Sequence, residues 1–469
     1  MDDPGGPLDP GGHLAATASD CVHCGFCLPA CPTYQLWGEE MDSPRGRIHL
    51  MSQVLNGAPV TEQVTLHVDR CLGCMACVTA CPSGVRYDEL IEAARGWPER
   101  AGAEAGQGRE EQPGTSRPLR ERAVRAAIFA TFPYPKRLRA LTGPLRAAQR
   151  VRLDRLVLRG PAARYAPELA GSLRLAPQPG SRQPRIPARI PARGQRRAVV
   201  GMLTGCVQQV FFAGVNAATA RVLATEGCDV IVPPGQGCCG ALSLHSGRAA
   251  EAARFAERAI AEFERAGVDV IVVNSAGCGS AMKEFGGFFA RAATISPAPG
   301  ADALAARAAA FSARVRDFSE FLAELYDRGG GPRAKRHELP VNAAYHDACH
   351  LAHAQRIRRQ PRDLLRGIPG LNLTEVGDGG TCCGSAGVYN LMQPQAAAEL
   401  GVRKAAALRA TGARLVVSAN PGCSLQIAAA LVAGGGEPVA VAHLAEVLDT
   451  SFRGLPLTAL GVGAASTRR

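Results

Sequence analysis

CVHCGFCLPACP, residues 21–32, sets four cysteines within eleven positions and closes on a proline. CLGCMACVTACP, residues 71–82, repeats the same spacing fifty positions later. The chain has 469 residues and 17 cysteines. At that length it buries enough surface to fold without disulfides. Its first stretch, MDDPGGPLDPGGH, has neither a basic n-region nor an apolar h-region. Clustered thiols in such a chain are expected to stay reduced and to serve metal binding or redox chemistry. The expected location is the cytoplasm, with the chain soluble or held at a membrane surface, since no run of about 18 apolar residues is present to span a bilayer.

The repeated pattern is C-x2-C-x2-C-x3-C-P. A [4Fe–4S] cluster needs four thiolates around one small cube, and two-residue gaps let three of them wrap one side of it. In two-cluster arrangements the fourth cysteine of each run serves the other cluster. The expected ligand sets are therefore Cys21, Cys24, Cys27 and Cys81 for one cluster, and Cys31, Cys71, Cys74 and Cys77 for the second. Pro32 and Pro82 turn the chain away after each last ligand. Two structural zinc sites are the plainer alternative, but those pair C-x2-C knuckles rather than three cysteines at every third residue. Between the runs, Asp42 or Ser43 is placed to cap a helix with Pro44 in its first turn and Gly57 at its end. Arg45 and Arg47 then fall near the first turn, where they offset cluster charge, meet a partner or lie on a solvated face.

Charge is unevenly spread. Residues 1–100 carry a net −7, residues 101–197 a net +15 and the remainder +4. A basic character confined to one segment does not suit a nucleic-acid-binding chain, and no nucleic-acid partner is expected. AEAGQGREEQPGTSRP and SRQPRIPARIPARGQRR read as disordered or extended ends of that segment. PLRERAVRAAIFATF and PKRLRALTGPLRAAQRVRLDRLVLRG between them show helical apolar spacing with interleaved arginines. Such basic amphipathic helices suit an anionic membrane surface, a partner subunit or a domain junction.

From residue 198 short β-rich runs alternate with alanine-rich helices. RRAVVGMLTGC leads to Cys206, GQGCCG holds Cys238 and Cys239, and VDVIVVNSAGC ends at Cys278. VNAAYHDAC ends at Cys349, TCCG holds Cys382 and Cys383, and ARLVVSANPGC ends at Cys423. Equivalent cysteines are offset by 143, 144 and 145 positions, the mark of a tandem α/β duplication. Alternating strands and helices predict parallel sheets covered by helices, with a ligand crevice beyond the strand carboxyl ends. Those eight cysteines are candidate sites for a further cluster or metal, or a reducible thiol set, or buried core thiols. The glycine of each CCG is expected to let a cofactor approach, and Cys228 is read as a core residue. In HDACHLAH, His346, His350 and His353 could bind metal with Cys349 if the stretch were helical, deliver protons to a quinone-like acceptor, or pack as polar side chains beside the crevice.

The phrases CVHCGFCLPACPTYQLWGEEMDSPRGRIHL and LHVDRCLGCMACVTACPSGVRYDELIEAARG resemble the iron–sulfur subunits of bacterial glycolate oxidase. The two C-terminal repeats are similar to the cysteine-rich CCG domains of those subunits, of anaerobic glycerol-3-phosphate dehydrogenase, of lactate-utilisation proteins and of heterodisulfide reductases. The resemblance implies a small helical two-[4Fe–4S] ferredoxin-type domain over 1–100, a basic linker over 101–197, and CCG repeats over 198–330 and 340–455. It implies an electron-transfer subunit that works with an FAD-containing subunit, which oxidises glycolate to glyoxylate, and with a second flavoprotein-like subunit. Electrons would leave towards a quinone or another acceptor, with peripheral contact at the cytoplasmic face of the inner membrane. The corresponding lactate or glycerol-3-phosphate subunit, a catalytic heterodisulfide-type protein and a redox-sensing scaffold are the alternatives. No P-loop is present, and no flavin is expected on this chain, nor activity without its partners. The fullest CCG domains end in C-x-x-C, whereas Cys278 and Cys423 here have no such second cysteine.

Overall fold

A computed structural model describes residues 8–9, 12–105, 117–152, 184–295, 297–377 and 380–463, with isolated positions between 157 and 175. The first cysteine-rich region is built from helices that include His13–Ser19, Pro44–Leu55, Glu62–Asp69 and Tyr87–Ala105. Ser43 caps the second of these, its hydroxyl accepting from the Gly46 N–H at 3.0 Å, with Pro44 at the first helical position. Ile48, Met51, Val54, Leu90, Ile91 and Trp97 close a small core beneath the cysteine loops. A fully buried side chain of this kind contributes about 1.5–3 kcal/mol.

The α/β part has two sheets. β1 (Arg189–Ile190), β2 (Ala198–Met202), β3 (Cys228–Ile231), β4 (Val270–Val273) and β5 (Val315–Asp317) pair in the order β1-β3-β2-β4-β5. β6 (Val341–His346), β7 (Leu371–Thr374), β8 (Leu415–Ser418) and β9 (Ala440–His443) pair in the order β7-β6-β8-β9. Every pairing is parallel except β1 against β3. The extended proline–arginine tract is thus not free of structure: Arg189 and Ile190 join the first sheet as an edge strand. Prolines are tolerated there because an edge leaves one row of N–H groups unused.

The order reverses between β2 and β4 in the first sheet and between β6 and β8 in the second, and each reversal opens a crevice at the strand carboxyl ends. One shared core joins the repeats, with Val200, Met202 and Val230 of the first sheet and Val341, Ala343 and Leu415 of the second among its members. The two crevices join: the Ala276 N–H donates to the Ala419 carbonyl at 3.1 Å, and the Arg221 guanidinium grips Asp449 through two bonds of 2.9 and 2.7 Å. The helices Leu119–Thr131 and Pro135–Arg150 lie over this junction, Leu138 buried and Arg125 donating to the Ser246 carbonyl. Among the described residues no helix is long and apolar enough to cross a membrane.

Candidate metal centres and the thiol crevice

Two-residue gaps make each cysteine loop curl, and left-handed backbone at His23, Gly25, Gly73 and Met75 completes the curls. Cys21, Cys24, Cys27 and Cys81 line one small cavity together with Cys77. Cys31, Cys71 and Cys74 are not in its wall. They lie instead close to Cys77, whose thiol is pushed well above its usual range by burial and by the neighbouring charges of Cys74, Cys71 and Cys31. Buried thiols that repel one another when ionised need a cation between them, so these residues fit a metal cluster. Among the described residues no disulfide joins any of the 17 cysteines.

The protein supplies counter-charge and donors around the second group. Burial opposes ionisation of Cys71, but Arg47 and Arg95 hold its thiol below the usual range, with the Gly73 N–H donating to its Sγ at 3.3 Å and the Tyr87 hydroxyl at 3.6 Å. Arg47 is 1% exposed. It donates to the His67 carbonyl at 2.6 Å, to Thr33 Oγ1 at 3.1 and 3.2 Å, and to Asp42 Oδ1 at 3.3 Å. Thr33 Oγ1 is 3.2 Å from Cys31 Sγ. Of the three readings of Arg47, the solvated face and the partner contact are therefore excluded, and charge compensation stands. Arg45 is half-exposed and pairs with Glu40, while its Nη1 reaches the His23 carbonyl in the first cysteine loop. Asp42 does not cap the helix. Its carboxylate is fully buried and accepts from Arg47, His67 and Arg70.

All eight CCG cysteines line one cavity of about 1440 Å³, and Cys74 shares its wall. Within each repeat the thiols form a row. Cys238 donates to Cys206 at 3.5 Å, and Cys239 touches both Cys238 and Cys278. In the second repeat Cys349 neighbours Cys382, Cys382 neighbours Cys383, and Cys383 neighbours Cys423. The rows differ electrostatically. Hydrogen bonds from Cys238 and Cys278, aided by the Ala241 N–H, hold Cys239 well below the usual thiol range. Cys349, Cys382 and Cys383 are all pushed well above it: Cys349 by its contact with Cys382 and by burial, while for Cys382 and Cys383 the contact with the preceding thiol lowers the value but is outweighed by the contact with the following thiol and by burial. Cys228 lies apart in the core, where burial raises it to about 12.

Several expectations need correction here. The CCG glycines do not make room for a cofactor. A Cβ on Gly240 would meet the Ala252 carbonyl at 3.0 Å, and one on Gly384 would meet the Ala397 carbonyl at 2.7 Å. Both adopt positive φ, and their lack of a side chain lets the helices Ala249–Arg265 and Pro394–Ala410 pack close. HDACHLAH is not one helical face and does not gather its histidines around Cys349. His346 ends β6, and only the following His350–Ala354 winds, as a π-helical turn. His350 Nε2 donates to the Gly73 carbonyl at 3.0 Å, and His353 Nδ1 is 3.0 Å from Thr79 Oγ1, so both fasten repeat 2 to the cysteine loop at 71–81. His346 instead meets Cys383 and Cys423.

Sequence reasoning missed the carboxylate–histidine patch behind the crevice. His245 Nδ1 is 2.7 Å from Glu92, its ring lies tilted against that of His350 with centroids 4.8 Å apart, and Arg95 bridges the Cys71 and His245 carbonyls. Burial and neighbouring acids raise Glu92 to about 8 and Glu284 to about 7. Their signal was weak because the residues come from three separate domains.

Comparison with known proteins agrees with this architecture. Family models match a 4Fe-4S dicluster domain over residues 17–85, a cysteine-rich CCG domain over 200–283 and again over 343–428, and the linker region of the glycolate oxidase iron-sulfur subunit over 120–175. The chain is 35% identical to a probable glycolate oxidase iron-sulfur subunit of Bacillus subtilis over 92% of its own length and 93% of the relative's. It is 36% identical to the glycolate oxidase iron-sulfur subunit of Escherichia coli, over 87% of this chain and 89% of that one. A lactate utilization protein A of Exiguobacterium is 28% identical over 54% of this chain and 98% of the relative. With its cysteine loops, its linker and both CCG repeats matched, the chain belongs to the family of glycolate oxidase iron-sulfur subunits.

Proposed function

We propose that this chain carries electrons within a glycolate-oxidising complex. It takes them from an FAD-containing subunit that converts glycolate to glyoxylate, assisted by a second flavoprotein-like subunit, and delivers them towards a quinone or another acceptor. The observation that carries the reading is contiguity. Cys24 is exposed, between Val22 at 68% and Phe26 at 66% exposure, whereas Cys74 is part-buried beside Cys349 and Cys382 in the crevice wall. The thiol groups thus run from the surface to the cavity without a gap.

Two [4Fe–4S] clusters, held by Cys21, Cys24, Cys27 and Cys81 and by Cys31, Cys71, Cys74 and Cys77, supply one-electron carriers when bound. The residues around them do the rest. Arg47 and Arg95 balance thiolate charge, the Gly73 N–H and Tyr87 hydroxyl donate to sulfur, and the small core shields the loops from water. Exposed Val22 and Phe26 give a partner an apolar contact in the acidic first region, and the basic helices of 119–150 suit an anionic leaflet at the cytoplasmic face. GQGCCG at 235–240 spells G-x-G-x-x-G after β3, but it opens only the four-residue helix Ala241–Leu244 and its two cysteines line the thiol cavity, so hydride abstraction from a 2-hydroxy acid is assigned to the partner.

The test is to assay the subunit alone and with its flavoprotein partners, following dye and quinone reduction with glycolate, lactate and glycerol 3-phosphate. Glycolate turnover only in the assembled complex is expected. Turnover by the lone subunit would refute the division of labour, and turnover with lactate or glycerol phosphate alone would overturn the substrate.

A further inference from the structure

The two repeats place a proton-bearing side chain at the same point in the fold. His245 stands five residues after Gly240, and Tyr389 stands five residues after Gly384. A Cβ on Gly387 would meet Leu242 Cδ1 at 3.6 Å, so the two segments approach each other. Both side chains line the large cavity, and each keeps one buried polar atom without a hydrogen-bond partner, His245 Nε2 and Tyr389 Oη. Buried polar groups are nearly always satisfied, so two orphans on one cavity wall point to a ligand that accepts from both. Ile128, Leu138, Leu141 and Leu145 of the helices Leu119–Thr131 and Pro135–Arg150 make part of the same wall apolar. A flat apolar ring carrying carbonyl oxygens matches that combination.

Behind His245, Glu92 meets Nδ1 at 2.7 Å, and its side chain keeps 13% exposure. Burial raises Glu92 to about 8, with Asp88 and Glu89 adding to it and Arg95 and Arg291 opposing it. Burial and Glu92 raise Glu284, on the helix Ala276–Ile295, to about 7. At neutral pH Glu92 thus carries a proton and donates to Nδ1. Burial keeps the imidazole neutral, so its own proton sits on the unpartnered Nε2.

We propose that the cavity binds a quinone whose carbonyl oxygens accept from His245 and Tyr389, and that Glu92 feeds it protons through the His245 ring. This deepens the electron-transfer reading and rests on it. Reduction to the quinol adds two electrons, supplied by glycolate oxidation through the iron–sulfur carriers, and two protons. One proton passes from Nε2 to a carbonyl oxygen while Nδ1 takes the Glu92 proton. Solvent then reprotonates Glu92, and the ring returns to its Nε2–H form. The second proton enters from solvent at the other carbonyl, which Tyr389 holds by its hydroxyl without losing its own proton.

The assembled complex, oxidising glycolate, is assayed with decylubiquinone and with ferricyanide, which takes one electron and no proton. In Glu92→Gln the ratio of quinone to ferricyanide rates should fall at least about 10-fold, and Glu92→Asp should restore most of it. Tyr389→Phe should raise the KM for decylubiquinone about 5- to 10-fold, more than it lowers kcat. The wild type should lose quinone reduction, and not ferricyanide reduction, as pH rises through about 8. It should also show a solvent deuterium isotope effect with quinone alone, a readout that holds even if a variant folds poorly. Quinone reduction by the flavoprotein partners without this chain would overturn the electron-transfer reading and the relay with it. Quinone reduction that needs this chain, yet shows no isotope effect and an unmoved ratio in Glu92→Gln, would overturn the relay alone.

Discussion

Replacing Arg47 with methionine isolates what the protein contributes to the second thiol group. The change keeps volume and removes a buried guanidinium with bonds to the His67 carbonyl, Thr33 and Asp42. Asp42 keeps His67 and Arg70 as partners, so the main losses are an orphaned His67 carbonyl and a weakened Asp42 network. At about 1–3 kcal/mol for each buried group left unpaired, the variant should lose about 3–5 kcal/mol of stability. Thr33 Oγ1 bridges Arg47 to Cys31 Sγ through contacts of 3.1 and 3.2 Å, which keeps the positive charge close to that sulfur. A unit charge at roughly 6 Å and an effective dielectric of about 20 is worth about 2–3 kcal/mol, on the order of 100 mV for a one-electron couple. The potential of one of the two clusters should therefore fall by tens of millivolts to about 100 mV in an EPR-monitored titration, while the other barely moves. Arg47→Lys separates the effects: the charge and most of the potential stay, but the planar fork is lost and stability still drops. If Arg47→Met leaves both potentials unshifted and the denaturation midpoint unchanged, the role given to Arg47 is wrong.

Two further perturbations address ligand assignment and pH. Cys81→Ser should erase the signal of the cluster assigned to Cys21, Cys24 and Cys27, and Cys31→Ser that of the cluster assigned to Cys71, Cys74 and Cys77. Signals that track each mutant's own sequence run would refute the crossover. Glu92 is raised to about 8 in the folded chain, mainly by burial, against about 4.3 for a free glutamate. Between those values the native state holds more protons than the unfolded one, so stability should fall as pH rises from about 5 to 8. Glu92→Gln keeps the contact to His245 and should flatten part of that slope in urea midpoints taken at pH 5.5 and 8; an unchanged slope would count against the assignment.

The cysteine spacing made the cluster loops legible because covalent geometry alone sets how three thiols at every third residue converge. The duplication was legible because a nearly constant offset needs no tertiary information, and β2, β4, β6 and β8 fell where the apolar runs stood, whereas the short strands β5, β7 and β9 carried too little pattern to be singled out. What escaped lies in contacts between distant segments. Whether Arg47 faces water or sulfur depends on Thr33, Asp42 and His67 closing around it. The CCG glycines looked like cofactor positions because the helix backbones they admit lie 12 and 13 residues further on. HDACHLAH looked like one cluster, but the end of β6 divides it, leaving His346 buried near Cys383 and Cys423 and sending His350 and His353 to the cysteine loop. The edge strand at Arg189–Ile190 hid in a tract whose prolines argue against a sheet interior and are harmless at an edge.

The central claim is that residues 21–82 hold two iron–sulfur clusters. The most direct measurement is iron and acid-labile sulfide per chain after anaerobic purification. Each cubane contains four of each, so about eight irons and eight sulfides are expected from these loops. Two equivalents of zinc with negligible iron and sulfide would contradict the account at its root.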